Sequence, residues 1–68
     1  MIVKNIESLC RNRGIRINRL ETELGFSHGA IRKWDAHPPT IWKVKSVADY
    51  FGIKVDDVLE GQSNGGAD

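Results

Sequence analysis

Three glycines divide the chain into short stretches, and each stretch carries apolar residues at intervals of three or four positions. This spacing places the apolar side chains on one face of a helix. Gly14, Gly25 and Gly52 close these stretches, and glycine is typical of a helix C-terminus because it readily adopts a left-handed backbone. The sequence therefore predicts an all-helical fold of short helices, since no stretch shows convincing β-strand alternation.

Capping residues set the remaining helix boundaries. Ser27 is predicted to cap a third helix, because its hydroxyl can accept from the free amides of the first turn, and Pro38-Pro39 stop that helix from continuing. Thr40 is predicted to cap a fourth helix, and Asp56 and Asp57 favour the start of a fifth. The predicted helices cover approximately residues 3–13, 17–24, 28–36, 41–51 and 55–59, which gives a compact five-helix domain.

The length of 68 residues and the single cysteine exclude several classes of protein. A chain this short buries only about 60% of the surface that its unfolded form exposes, which is too little for a large enzyme with a closed cavity. Cys10 has no partner for an internal disulfide, and its place on the apolar face of the first helix predicts a buried structural thiol. The chain shows no nucleophile–base pair, phosphate loop or metal cluster, so we expect neither an enzyme nor a metal or cofactor.

The organisation of the chain is predicted to be simple. Residues 1–60 form one domain, and the polar, glycine-rich residues 61–68 form a flexible tail. No apolar run approaches the length of a membrane span, and the first residues do not resemble a targeting signal. We therefore expect a cytoplasmic protein with no membrane contact and no evident small-molecule ligand.

Charge is unevenly divided, although the chain carries only +1 in total. Residues 1–36 contain seven basic and four acidic residues, a net +3, whereas residues 37–68 contain three basic and five acidic residues, a net −2. A basic half is compatible with a surface that meets a polyanion.

The link between the second and third predicted helices, Leu24-Gly25-Phe26-Ser27, is short enough to force a large crossing angle. Such a helix-turn-helix presents the start of one helix to the major groove of DNA, which is about 12 Å wide. The stretch from Ile17 to Trp34 resembles the helix-turn-helix of the phage repressor and Cro-like family, often called the XRE family. The matching positions are Leu20, Leu24, Gly25, Ser27, Ile31 and Trp34-Asp35, and the pattern continues through residues 39–59. The resemblance covers residues 2–61.

This resemblance implies a lambda-repressor-like domain whose third helix enters the major groove of double-stranded DNA. The family's base-facing positions fall on Ser27, His28, Gly29, Arg32 and Lys33. Phosphate contacts are expected from Asn18, Arg19, Thr40, Lys43 and Trp42. The implied protein is a nucleoid-associated homodimer that binds a palindromic operator and represses transcription, of phage or mobile-element type.

The two tryptophans are expected to differ. Trp34 continues the apolar stripe of the third helix with Ile31, so it is predicted to pack in the core. Trp42 lies off the apolar stripe of the fourth helix and is predicted to be partly exposed, where it would meet DNA or a second subunit.

Three departures from the family pattern affect the expected interface. Ile17 stands where a glutamine is common, so the usual phosphate contact of that glutamine is missing. Glu21 stands where a small residue is common, and it is expected to loosen the packing of the second and third helices. The loop Ala36-His37-Pro38-Pro39 lacks the basic residues that some relatives place in the minor groove.

A fourth departure removes an ion pair. Cys10 stands where the family often has an arginine, so Asp35 lacks the partner that the family gives it. Arg11 and Arg13 are the candidates to replace that partner.

Two other functions remain open on the same fold. One is an antitoxin, although residues 61–68 are short and polar for a toxin-binding segment. The other is a protein-interaction module that has lost DNA binding, with Trp42 and the fifth helix as its contact surface. The near-neutral net charge and the missing glutamine keep this second alternative open.

Overall fold

A computed structural model describes residues 2–60, and the segment 61–68 that was predicted as a flexible tail lies outside the described residues. Every regular element within residues 2–60 is helical. The elements are α1 (Ile2–Arg13), α2 (Ile17–Leu24), a 3₁₀ helix (Ile31–Lys33), α3 (Ile41–Phe51) and α4 (Val55–Glu60). The all-helical prediction is confirmed. The helix count is corrected from five to four α-helices within the described part of the chain.

The ends of the α-helices follow the local signals in the sequence. Gly25 and Gly52 have φ angles of 77° and 70°, and their amides donate to carbonyls in the last turns of α2 and α3. The Thr40 hydroxyl accepts from the Lys43 amide at 3.4 Å, as expected of a capping residue. These helices are predictable because each boundary is decided by residues next to it.

The third predicted helix is wrong as an α-helix. Residues 28–36 form turns around the three-residue 3₁₀ helix. Gly29 has a φ of 83°, a left-handed conformation that interrupts any continuous right-handed helix there. Ser27 does not begin an α-helix, because its carbonyl accepts from the Ala30 amide at 3.0 Å in a tight turn.

Glu21 explains this irregular backbone. Its side chain is only 1% exposed, and its two carboxylate oxygens accept from the amides of Gly29 and Ile31, both at 3.0 Å. The carboxylate therefore satisfies two amides that this turn leaves without helical partners. The expectation that Glu21 loosens the packing is wrong, because Glu21 ties α2 directly to the following segment. We refer to residues 27–36, fixed in this way, as the clamped segment.

The core joins the clamped segment to the helices. Ile31 and Trp34 of that segment are buried together with Cys10, as predicted for Trp34 and Cys10. Burial raises the pKa of the Cys10 thiol, and the nearby Glu7 carboxylate adds to this effect, which fits a structural cysteine. The buried apolar residues are Ile6, Cys10, Ile17, Leu20, Ile31, Trp34, Val44, Val47, Ala48, Phe51 and Val58.

The Asn5 side chain joins α1 to the end of α4. Its Nδ2 donates to the carbonyls of Val58 and Leu59 at 3.0 and 3.1 Å. These carbonyls lie in the last turn of α4, where backbone oxygens have no helical partners. Among residues 2–60, no helix combines the length and apolar character that crossing a membrane requires.

Candidate functional site

Five of the ten residues that the resemblance assigns to DNA contact line one cleft. The cleft has a volume of about 330 Å³ and lies between the clamped segment and the start of α3. We call it the histidine cleft. Its polar lining residues are Ser27, His28, Lys33, His37, Thr40 and Lys43. Expected base-facing and phosphate-facing residues therefore meet on one surface.

Aromatic packing supports the wall of the histidine cleft. The Phe26 ring lies 5.7 Å from the buried Trp34 ring, measured between centroids, at an interplanar angle of 58°. The Lys43 ammonium lies 5.9 Å from the centre of the Phe26 ring, a favourable cation–π geometry. The exposed Lys43 side chain therefore has an aromatic partner beside the cleft.

His37 was missed as a site residue. Its amide donates to the Lys33 carbonyl at 2.7 Å, and Pro38 and Pro39 follow it along the cleft wall. The sequence resemblance directs attention away from this loop, because it carries no lysine or arginine. The available signal is the residue count: the chain has only two histidines, and both line this cleft.

Charge in the histidine cleft has one sign. Lys33 and Lys43 are both exposed, and none of the described residues that line the cleft is acidic. A concave surface lined by one sign of charge concentrates its field and attracts counter-ions. The arrangement is suited to binding an anion such as a phosphate group.

Arg32 lies in a different cleft from Lys33. This second cleft has a volume of about 450 Å³ and lies where α1 meets the start of α2. We call it the arginine cleft. Its charged and polar lining residues are Glu7, Arg11, Arg16, Asn18 and Arg32. The expected base-facing set is therefore divided between two clefts, with Asn18 beside Arg32.

Arg32 already has a partner on α1. Its Nη1 lies 3.4 Å from Oε2 of Glu7, and both side chains remain partly exposed. An exposed pair of this kind contributes little to stability, so the guanidinium can exchange partners at small cost. Ile17, at the position where the family commonly has glutamine, is almost completely buried at the base of the arginine cleft, and its apolar side chain offers a phosphate no hydrogen bond.

Arg19, assigned to a phosphate by the resemblance, is engaged within the protein. Its Nε donates to Oε2 of Glu23 at 2.8 Å, and the Tyr50 hydroxyl donates to Oε1 of Glu23 at 2.8 Å. The hydrogen bond from Arg19, and then that from Tyr50, hold the pKa of Glu23 below its ordinary value. The same contact with Glu23 raises the pKa of Tyr50. A phosphate would compete with Glu23 for the Arg19 guanidinium.

We expect Tyr50→Phe to raise the pKa of Glu23 toward its ordinary value of 4.5, because one of its two hydrogen bonds is lost. The pKa of Glu23 is lower in the folded state than in the unfolded state. Its hydrogen bonds therefore contribute fully to folding stability above pH 4.5, and this contribution is lost as pH falls through the lower folded-state pKa. An NMR titration of the Glu23 carboxyl carbon measures the change, with Thr22→Ala as the control on the same helix. Identical titrations of parent and Tyr50→Phe would contradict the assignment.

The remaining predicted site residues lie apart from both clefts. Trp42 is 74% exposed, as predicted, but it does not line the histidine cleft. Gly29 is half-buried, and its backbone amide donates a hydrogen bond to the Glu21 carboxylate. Ile41 and Leu59 are 56% and 45% exposed, and they border an apolar groove of about 390 Å³.

Asp35 has a backbone partner instead of an arginine. Its Oδ1 accepts from the Val3 amide at 3.3 Å, in the first turn of α1. The Arg13 guanidinium lies 5.7 Å from the centre of the Tyr50 ring and 5.1 Å from that of Phe51. Arg13 is therefore not the replacement partner of Asp35. The Asp35 carboxylate instead lies at the N-terminus of α1, where the positive end of the helix dipole stabilises its negative charge.

Within residues 2–60, no cluster of three or more His, Cys, Asp or Glu side chains is arranged to hold a metal ion. Comparisons with models of known protein families, with curated proteins and with solved structures found no match.

Proposed function

We propose that the protein is a sequence-specific double-stranded DNA-binding regulator of transcription, a repressor of phage or mobile-element type. One observation carries the proposal: residues that the resemblance assigns to bases and residues that it assigns to phosphates converge in the histidine cleft, which has no acidic lining residue in the described chain. Lys33 and Lys43 supply its permanent positive charge. Positive clefts of this kind are suited to the phosphate backbone, which provides most of the affinity of such proteins.

In this proposal α2 and the clamped segment act as a helix-turn-helix in which turns and a 3₁₀ helix replace the second α-helix. The 3₁₀ helix offers Arg32 toward one cleft and Lys33 toward the other. Lys33, Lys43 and Thr40 contact phosphates and fix the register, while Arg32 reaches a base edge from the arginine cleft. Arginine is suited to guanine because its two parallel donors match the guanine acceptors.

A homodimer on a palindromic operator completes the proposal. Two copies would meet successive turns of the major groove, whose centres lie about 34 Å apart. Bound across a promoter, such a dimer blocks access of the transcription machinery.

Selection of binding sites from random duplex DNA, followed by a salt titration, tests the proposal. We expect a palindromic consensus and an affinity that falls steeply with salt, by about 0.9 in log K per log unit of salt for each neutralised phosphate. Recovery of no preferred sequence would overturn sequence-specific binding. A preferred sequence without symmetry would overturn the dimer alone.

We expect Arg32→Ala to weaken binding to the selected site by about 1–3 kcal/mol and to relax the preference at one base pair. Glu7→Gln is the matched variant, because it frees Arg32 from its partner at 3.4 Å and leaves the guanidinium in place. Glu7→Gln is expected to bind at least as tightly as the parent. Fluorescence anisotropy with base-substituted duplexes measures both variants. Equal affinity and selectivity of Arg32→Ala and the parent would remove Arg32 from the interface.

A protein-interaction module is the second candidate, favoured by the exposure of Trp42, Ile41 and Leu59. Ile41 and Leu59 border the same apolar groove, and a contiguous exposed apolar patch is typical of an interaction surface. Under this alternative, site selection recovers no consensus and charge changes in the histidine cleft leave DNA affinity at a weak, non-specific level.

A further inference from the structure

We infer that the histidine cleft is a proton-dependent phosphate site, in which His28 and His37 make DNA binding tighter as pH falls. This inference rests on the proposed function and adds a regulatory property to it. It also adds His37 to the interface, a residue that neither the sequence resemblance nor the charge pattern assigns.

The placement of the histidines carries the inference. The chain has two histidines, nine positions apart, and the turns of the clamped segment bring both to the same cleft of about 330 Å³. Both are exposed, so protons reach them freely. Imidazole is the side chain whose charge ordinarily changes between about pH 5 and pH 8. Both histidines of the protein therefore lie at the candidate phosphate site.

The groups around the two imidazoles are cationic. Lys33 faces the cleft from the clamped segment, and Lys43 faces it from the start of α3. The three carboxylates nearest in the chain are engaged elsewhere. Glu23 accepts from Arg19 and Tyr50. Glu21 is buried against the amides of Gly29 and Ile31, and Asp35 accepts from the Val3 amide and lines the apolar groove instead.

This composition determines the sign of the pH effect. No carboxylate lines the cleft in the described chain, so no lining residue offers an anion to a protonated imidazole, whereas a bound phosphate does. A bound phosphate favours the charged form of both imidazoles, so binding takes up protons. By linkage, the affinity then rises as pH falls. Two protonated imidazoles beside Lys33 and Lys43 would present four positive charges to the DNA backbone.

The test is the affinity of the selected duplex at constant ionic strength, measured between about pH 5.5 and pH 8. We expect the parent to bind at least about tenfold more tightly at the acidic end, with a salt dependence steeper by about 0.9 for each additional phosphate neutralised. The single variants His28→Gln and His37→Gln are expected to lose part of the pH dependence, and the double variant all of it. His37→Lys supplies a permanent charge, so it is expected to bind more tightly than His37→Gln at the alkaline end.

A second measurement protects the test against poorly folded variants. In the parent, the NMR titration of the imidazole C–H signals is expected to move to higher pH when the duplex is bound. Unmoved titrations, or pH-independent binding by the parent, would overturn the inference and leave the proposed function intact. Persistence of the full pH dependence in the folded double variant would also overturn the inference. Absence of duplex binding at every pH would overturn the proposed function itself.

Discussion

Glu21→Ala is expected to destabilise the fold by about 3 kcal/mol, because two amides lose hydrogen bonds to a charged acceptor and the Ile31 amide is left buried without a partner. The Glu21 carboxylate accepts from Gly29 and Ile31 at 3.0 Å each and is almost completely buried. A domain of this size is stable by only a few kcal/mol in total, at about 0.05–0.15 kcal/mol per residue. The change therefore removes a large fraction of its stability.

Urea unfolding measures this loss, and Glu23→Ala is the matched control on the same helix. Glu23 is bonded to Arg19 and Tyr50 on the surface, where solvent screens such contacts and they contribute little to stability. Glu21→Gln keeps one acceptor oxygen and is expected to fall between the parent and Glu21→Ala. Amide exchange adds a local readout, because the amides of Gly29 and Ile31 should lose protection first. Equal stability of Glu21→Ala and Glu23→Ala would show that the carboxylate does not hold the clamped segment.

Lys33→Gln/Lys43→Gln is expected to weaken binding to the selected duplex by about 100-fold at moderate salt and to reduce the salt slope by about 2, since two phosphates are no longer neutralised. Both lysines line the histidine cleft from opposite sides. Binding measured at several salt concentrations gives both quantities, and circular dichroism verifies that the variant is folded.

Lys4→Gln/Lys54→Gln is the matched control for this variant. It removes the same net charge from two exposed lysines outside both clefts. A reduced net charge alone would weaken both double variants equally. The proposed interface predicts a much smaller loss for the control, so equal losses would contradict it.

The four α-helices are predictable because their signals are local. Gly25 and Gly52 end α2 and α3, and Thr40 begins α3, each through hydrogen bonds to residues at most five positions away. The clamped segment is different, because its backbone depends on Glu21, which lies eight and ten residues before the amides that it binds. Periodicity within residues 28–36 contains no information about that carboxylate, so it indicates a helix.

The candidate site was also predictable only in part. Ser27, His28, Lys33, Thr40 and Lys43 share a cleft, and the resemblance selects all of them from sequence position alone. The separation of Arg32 from Lys33 was not predictable in the same way. Successive side chains turn by about 100° in an α-helix and about 120° in a 3₁₀ helix, and the flanking turns reorient them further.

The hydrogen bonds made by Glu21 leave the outward side chains of the clamped segment free to change by mutation or engineering. They end on main-chain nitrogens, which all amino acids except proline provide in the same place. The outward side chains of His28, Arg32 and Lys33 take no part in them. Those three positions can therefore be randomised in a library to retarget recognition while the scaffold beneath them keeps its shape.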